Sequence, residues 1–305
     1  MTSTSQRSTL GPWAFAVAVC ASAVAVTAGA GVLREQTTMT QAQSSVATQA
    51  TPVAETAGFG PAGTVVPTHS PWAPGTLFHL TGEIPTPGVP FEATECTVAF
   101  SFDGQDGRAY AVTASHCGQE GDLVFPRGGN TEQNFTKEVG RVIYSGLNES
   151  DPAKRSDVAI IEITDPNHPM ILGDKAPVET LLGNTPPTGT ACKVGGTTGQ
   201  TCGEIGPQGQ RYAMVDPETE QEVITTGDTA KMCAQRGDSG GPVTIGIDGR
   251  PVVIGLVSGT RGATDAAPVC DDPAQAAEAS VAFVPMARIQ EVIREVVPDA
   301  RLTWS

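Results

Sequence analysis

The feature that most limits how this chain can fold is the shortness of its apolar runs. Beyond about residue 84 they fall at 96–102, 109–113, 139–144, 158–163, 222–226, 243–247, 251–258 and 280–284, each of strand length. The 35 glycines and 24 prolines provide turns between them, and aromatic residues are few. Asp248-Gly249 joins two of the runs, and a tight hairpin turn needs the positive φ that this pair tolerates. One segment departs from the pattern. Across 286–297, Met286, Ile289, Val292, Ile293 and Val296 recur at three- and four-residue spacing, laying one apolar stripe along a helix that Pro298 stops. Many evenly spaced strands with one terminal helix predict an all-β barrel or sandwich.

The upstream third reads differently. Residues 11–32 are almost wholly apolar between Arg7 and Arg34, and Ala28-Gly29-Ala30 has the small-x-small pattern of a signal-peptidase site. The stretch also reaches the lower range for a membrane span. Residues 1–33 are therefore expected to be a cleaved signal peptide or a membrane tether acting through residues 12–32. Either places the remainder outside the cytoplasm, secreted or on the outer face of the cell membrane. Residues 34–83 form a low-complexity leader, linker or propeptide remnant, rich first in Thr, Gln, Ala and Ser and then in Pro. His69 and His79 are expected there as idle, solvated side chains. The folded domain is expected to run from 84 to 305.

A formal charge of −15 with no basic run argues against a nucleic-acid surface, because phosphate binding needs clustered Lys and Arg. Of the seven cysteines, Cys20 lies in the apolar N-terminal stretch. The other six, Cys96, Cys117, Cys192, Cys202, Cys233 and Cys270, suit three disulfides, for which sequence alone permits about fifteen pairings. No Cys-x-x-Cys or Cys/His cluster has zinc-ligand spacing, so no metal or cofactor is expected. The chain is expected to act as a monomer.

Residues 236–242 admit two readings. Arg236-Gly237-Asp238 is a tripeptide that adhesion receptors recognise, whereas Gly237-Asp238-Ser239-Gly240-Gly241-Pro242 could present a nucleophilic serine on a tight turn. A serine needs a base and a group to orient that base. Only four histidines exist, and His116, at the end of the 109–113 run and beside Cys117, is the best placed. His168, in Asp165-Pro166-Asn167-His168-Pro169, reads as surface. Asp157 stands at the mouth of the most apolar run in the chain, where a carboxylate is costly to bury without a partner.

Thr113-Ala114-Ser115-His116-Cys117, Ser156-Asp157-Val158-Ala159 and the 237–242 hexapeptide together resemble the three signature blocks of the chymotrypsin family of serine proteases. Cys192-Lys193-Val194-Gly195-Gly196-Thr197-Thr198-Gly199 and Cys233-Ala234-Gln235-Arg236 are similar to its streptogrisin-like bacterial branch. The resemblance spans roughly residues 84–297. It implies two six-stranded antiparallel β-barrels, a C-terminal α-helix, and endopeptidase activity on a protein or peptide substrate. It further implies Ser239 as nucleophile, His116 as base and acid, Asp157 as its orienting group, and the N–H groups of Gly237 and Ser239 as an oxyanion hole. Ser258 would support the aspartate and open the substrate-pairing stretch Ser258-Gly259-Thr260. The matching disulfides are Cys96–Cys117, Cys192–Cys202 and Cys233–Cys270.

Some positions depart from the family pattern. Ser115 replaces an alanine, Thr260 stands where glycine is common in the pocket wall, and the leader is short for a folded prodomain. Lys231 occupies the position where trypsin-like specificity needs a carboxylate. Small or medium uncharged side chains are the expected preference. Pairing of Lys231 with an acidic substrate group, or basic specificity through Asp228 or Asp265, stays open. No Ile-Val-Gly-Gly-type start occurs in residues 60–95 to supply a new terminus, and the streptogrisin-like resemblance implies that Lys193, the basic residue after Cys192, is the buried partner of Asp238; a solvated Lys193 is the other reading. The competing function is non-catalytic adhesion on a protease-like fold.

Overall fold

In the computed structural model, which describes residues 66–69, 71–127, 134–170, 179–215, 221–261 and 268–302, the short apolar runs curl into two barrels. The first strands are β1 (Val66–Thr68), β2 (Leu77–Thr81), β3 (Thr94–Thr97), β4 (Phe100–Asp103), β5 (Ala109–Thr113), β6 (Leu123–Pro126), β7 (Gly140–Ser145) and β8 (Ala159–Ile163). Then follow β9 (Thr180–Leu182), β10 (Thr190–Gly195), β11 (Gly199–Glu204), β12 (Gln210–Val215) and β13 (Glu222–Ala230). Last come β14 (Pro242–Ile247), β15 (Arg250–Arg261), helix α1 (Pro273–Glu278), β16 (Ser280–Pro285) and helix α2 (Met286–Val296).

The first sheet has the order β3-β2-β6-β7-β8-β5-β4. Its two end strands are halves of one bent run. Between them, Val98 N–H donates to Thr76 O at 2.9 Å and Ala99 N–H to Val112 O at 2.8 Å, so the bend keeps its backbone satisfied on both sides. Counted once, that run closes a ring of six strands.

The second sheet runs β11-β10-β14-β15-β16-β13-β12. An Ile205↔Ala230 bridge joins the end of β11 to β13, with Gly206 N–H to Thr229 O and Lys231 N–H to Glu204 O both at 2.8 Å. This makes a second six-membered ring, from which β12 projects as a hairpin partner of β13. Beyond the purely antiparallel expectation, β9 lies parallel against β15 and carries β1 on its other edge. Asp248 and Gly249 turn the β14–β15 hairpin at φ of 50° and 75°.

The domain begins earlier than residue 84. Strand β2 sits between β3 and β6 inside the first ring, and Trp72 before it is fully buried. Ser101 Oγ accepts from Trp72 N–H and donates to Trp72 O, both at 2.8 Å, and the indole donates to His168 O at 3.2 Å. Gly140 leaves the ring its space, since a Cβ there would lie 2.9 Å from the indole. His79 is buried, not solvated, with Nε2 3.2 Å from Glu95, while the half-exposed His69 pairs with Asp103 at 2.8 Å. The proline-rich composition concealed this start because strand β2 itself is only five residues long. The expected signal or tether, residues 1–33, and the leader up to residue 65 lie outside the described residues.

Helix α2 forms where the stripe predicted it, and Met286, Ile289, Val292 and Ile293 join the core of the first barrel although the helix follows the second. The tail continues the clasp, with Arg301 N–H donating to Asp103 O at 2.7 Å. Helix α1 was not expected; Asp272 caps it through Ala274 N–H and Pro273 begins it. Trp72→Ala should lower unfolding free energy by about 3–5 kcal/mol, read from the denaturation midpoint.

Candidate active site

Strand β5 ends in a single 3₁₀ turn, Ser115–Cys117, which carries His116 and is stapled to β3 by the Cys96–Cys117 disulfide. His116 is tied to Asp157 twice: its N–H donates to Oδ1 and its Nδ1 lies against Oδ2, each at 2.8 Å. A carboxylate only accepts, so Nδ1 carries a proton, and in the neutral ring the lone pair is on Nε2. Nε2 is buried and has no hydrogen-bond partner among the described residues. Asp157 is fully buried, and Ser258 Oγ also donates to its Oδ2. Ser258 reaches inward because β15 bulges there: Val257 pairs with Phe283 and Gly259 with Ala282, which leaves Ser258 as the extra residue.

Ser239 stands at the junction of the barrels on a turn shaped by glycines. Gly240, at φ 80°, admits no side chain, because a Cβ would lie 2.1 Å from Thr113 Oγ1 and 2.9 Å from Ala114 N, just ahead of His116. Thr97 ties the two sides together. Its N–H donates to Ser239 O at 2.8 Å, its hydroxyl donates to Gly237 O at 2.6 Å, and its carbonyl accepts from Thr113 Oγ1 at 2.9 Å. Along the turn, Asp238 N–H goes to Gln235 O, Gly240 N–H to Val257 O and Gly241 N–H to Asp238 O. The N–H groups of Gly237 and Ser239 have no partner among the described residues.

Asp238 and Lys193 are both fully buried, with Nζ 2.9 Å from Oδ2. Oδ1 accepts from the N–H groups of Thr197 and Thr198, each at 3.0 Å. Oδ2 also takes Thr198 Oγ1 at 2.6 Å and Gln235 N–H at 2.9 Å. Lys193 Nζ donates further to Thr198 Oγ1 and to Gly199 O. Burial alone would raise the Asp238 carboxyl, but the ammonium and these donors outweigh it and hold the group below its ordinary range. Burial presses Lys193 below the ordinary lysine range, against the pull of Asp238.

The remaining singled-out residues are more dispersed. Gly259 is buried and Thr260 half-buried beside Ser258 on β15. Lys231 is exposed; its backbone closes the second barrel. Asp228 is buried and accepts Gly209 N–H at 2.9 Å, and Asp265 lies outside the described residues. Disulfides Cys192–Cys202 and Cys233–Cys270 complete the set of three with Cys96–Cys117. Ser115 is engaged by Ser145 Oγ at 2.7 Å and Leu147 N–H at 2.9 Å. Two further residues at the site had no mark in the sequence: Thr97 and Tyr212, whose hydroxyl lies 2.9 Å from Ser258 Oγ. A threonine following a cysteine in a strand, and a tyrosine in a hairpin, carry no local mark of what they will face.

Two closed barrels with these blocks at their junction define the class: a serine endopeptidase of chymotrypsin-like fold. Residues 96–276 match the family model described as Trypsin, more than half of the chain, and the chain belongs to that family. Solved structures with a similar fold include Nocardiopsis protease, at 21% identity and TM-score 0.46, covering 73% of this chain and 95% of that one. Thermobifida fusca protease A is 20% identical with TM-score 0.47, covering 72% and 95%. Cellulomonas bogoriensis chymotrypsin is 17% identical with TM-score 0.44, covering 76% and 98%. Compared with curated proteins, the chain matches none.

Because Asp238 is held below its ordinary value of 3.8, the unfolded chain takes up that proton first. Its contribution to stability is present above that pH and lost as pH falls through the lower, folded value. Lys193→Met strands the carboxylate, so it should cost about 3–5 kcal/mol at neutral pH, and the deficit should shrink as pH falls and the buried Asp238 takes up a proton. Denaturant melts across pH check both.

Proposed function

We propose that Ser239, His116 and Asp157 form the catalytic triad of a secreted or membrane-tethered endopeptidase that works through an acyl-enzyme. One observation carries the reading. A histidine oriented by a buried carboxylate, with a buried Nε2 that has no partner among the described residues, sits two residues beyond the segment against which Gly240 packs. Ser239 Oγ attacks the substrate carbonyl carbon while Nε2 takes the hydroxyl proton. The N–H groups of Gly237 and Ser239 hold the developing oxyanion, each worth about 3 kcal/mol. Collapse breaks the C–N bond, His116 returns the proton to the leaving amine, and the acyl group stays on Ser239. Water then attacks with His116 again as base and releases the acid.

The cage around Asp238 favours an oxyanion turn set without a new N-terminus, as in the streptogrisin-like branch. An exposed Lys231 in place of a pocket carboxylate, and Thr260 on the wall, favour small or medium uncharged substrate side chains. Three disulfides are consistent with work outside the cytoplasm. Adhesion through Arg236-Gly237-Asp238 is disfavoured, because Asp238 has no exposed surface to offer a receptor.

A fluorophosphonate should label Ser239 in the folded protein. Ser239→Ala should abolish labelling and lower peptide turnover by about 10⁴-fold or more, and His116→Ala should cost about as much. Turnover of either variant near that of the parent would overturn the assignment.

A further inference from the structure

The hydrogen bonds around Asp157 do not end at Ser258. Ser258 has one hydroxyl proton and two acceptors within reach, Asp157 Oδ2 and, 3.1 Å away, the sulfur of the buried Met214. The carboxylate is by far the stronger acceptor, so the proton goes to Asp157. Tyr212, on β12, lies with its hydroxyl 2.9 Å from Ser258 Oγ. A serine that donates to a carboxylate can only accept from a phenol, so the direction is forced: Tyr212 to Ser258, Ser258 to Asp157, His116 Nδ1 to Asp157.

The seat of the phenol is built for it. A Cβ at Gly227, on the neighbouring β13, would lie 3.1 Å from both Cε1 and the hydroxyl of Tyr212, and 2.5 Å from Phe283 O. A side chain there would clash with Phe283 O and press on the ring. The proton is secure as well: burial first, then the charges of Asp157 and Asp228, raise the phenol far above its ordinary range, against the opposing bond to Ser258. Tyr212 therefore remains a donor wherever a histidine titrates.

We propose that Tyr212 is a positioning residue of the active site: its hydroxyl polarises the Ser258 hydroxyl toward Asp157 and so tunes how tightly Asp157 holds a proton on His116. This rests on the reading of His116, Asp157 and Ser239 as the triad. A chain of hydroxyls polarised in one direction strengthens its last bond. A carboxylate with that bond intact draws the imidazolium less strongly than one without it. The charged and titratable groups facing this chain are Asp157 from the segment before β8, His116 from the turn after β5, and Asp228 from β13.

Tyr212→Phe keeps the ring over Gly227 and removes only the hydroxyl. In the Ser239→Ala protein, an NMR titration reads the His116 imidazole without any need for turnover. Tyr212→Phe should move it upward by about half a pH unit, the scale of one hydrogen bond. In the active protein the acidic limb of kcat/KM should move the same way. The same scale predicts that kcat falls about two- to tenfold with KM nearly unchanged. In a Ser258→Ala background Tyr212→Phe should add nothing. An unmoved His116 titration beside normal parental turnover overturns the role of Tyr212 and leaves the triad standing. A shift that persists without Ser258 overturns the route proposed for it. A shifted titration in a protein that neither hydrolyses peptides nor labels with fluorophosphonate supports the Tyr212 role and sinks the protease mechanism instead.

Discussion

A carboxylate with no exposed surface governs the serine turn. Asp238 is surrounded by the Lys193 ammonium, the Thr198 hydroxyl and the backbone N–H groups of Thr197, Thr198 and Gln235. An unpaired buried charge costs several kcal/mol, so any rearrangement of the turn that breaks this cage is expensive. The cage also dictates its neighbours. Gly195 cannot carry a side chain, because a Cβ there would lie 2.1 Å from Asp238 Oδ1. Four of the five donors come from the β10–β11 hairpin, whose strands are cross-linked by Cys192–Cys202 at directly opposed positions. The charge thereby couples a hairpin of the second barrel to the conformation of Gly237 and Ser239.

A second constraint joins the barrels. The histidine and aspartate belong to the first ring and the serine to the second, so their meeting depends on contacts between the two. Thr97 provides three of these contacts, its N–H to Ser239 O, its hydroxyl to Gly237 O and its Oγ1 accepting from Gly196 N–H, and it is fully buried next to the Cys96–Cys117 disulfide. Helix α2 and the tail after it work at longer range, since they leave the second barrel and pack into the core of the first. The arm around Trp72 closes the first barrel from the other end of the chain. Both ends of the domain therefore stabilise the ring that carries His116.

The Asp157 side shows how a local irregularity serves chemistry. One extra residue in β15 turns Ser258 out of the ladder and toward the carboxylate. Strand β12, which stands outside the ring closure, brings the Tyr212 hydroxyl to the same point. The hydrogen bonds that begin at His116 thus reach a strand outside the ring.

Strand-length runs, an amphipathic tail and three blocks around His116, Asp157 and Ser239 were legible in the sequence, because each is set by periodicity or by glycine-rich turn chemistry within a few residues. The cysteines limited the staples, and the pairing followed from family resemblance more than from spacing. The start of the domain was not legible: β2 and Trp72 lie in a proline-rich stretch whose composition outweighs five strand residues. Thr97, Tyr212 and Gly227 could not be read either. Their partners stand 140, 46 and 56 residues away in the chain, at Gly237, Ser258 and Phe283. The sequence determined which groups could do chemistry, since that depends on residue type and local turns. Barrel closure decided which of them meet, because long-range strand pairing alone brings such distant donors and acceptors within hydrogen-bond reach.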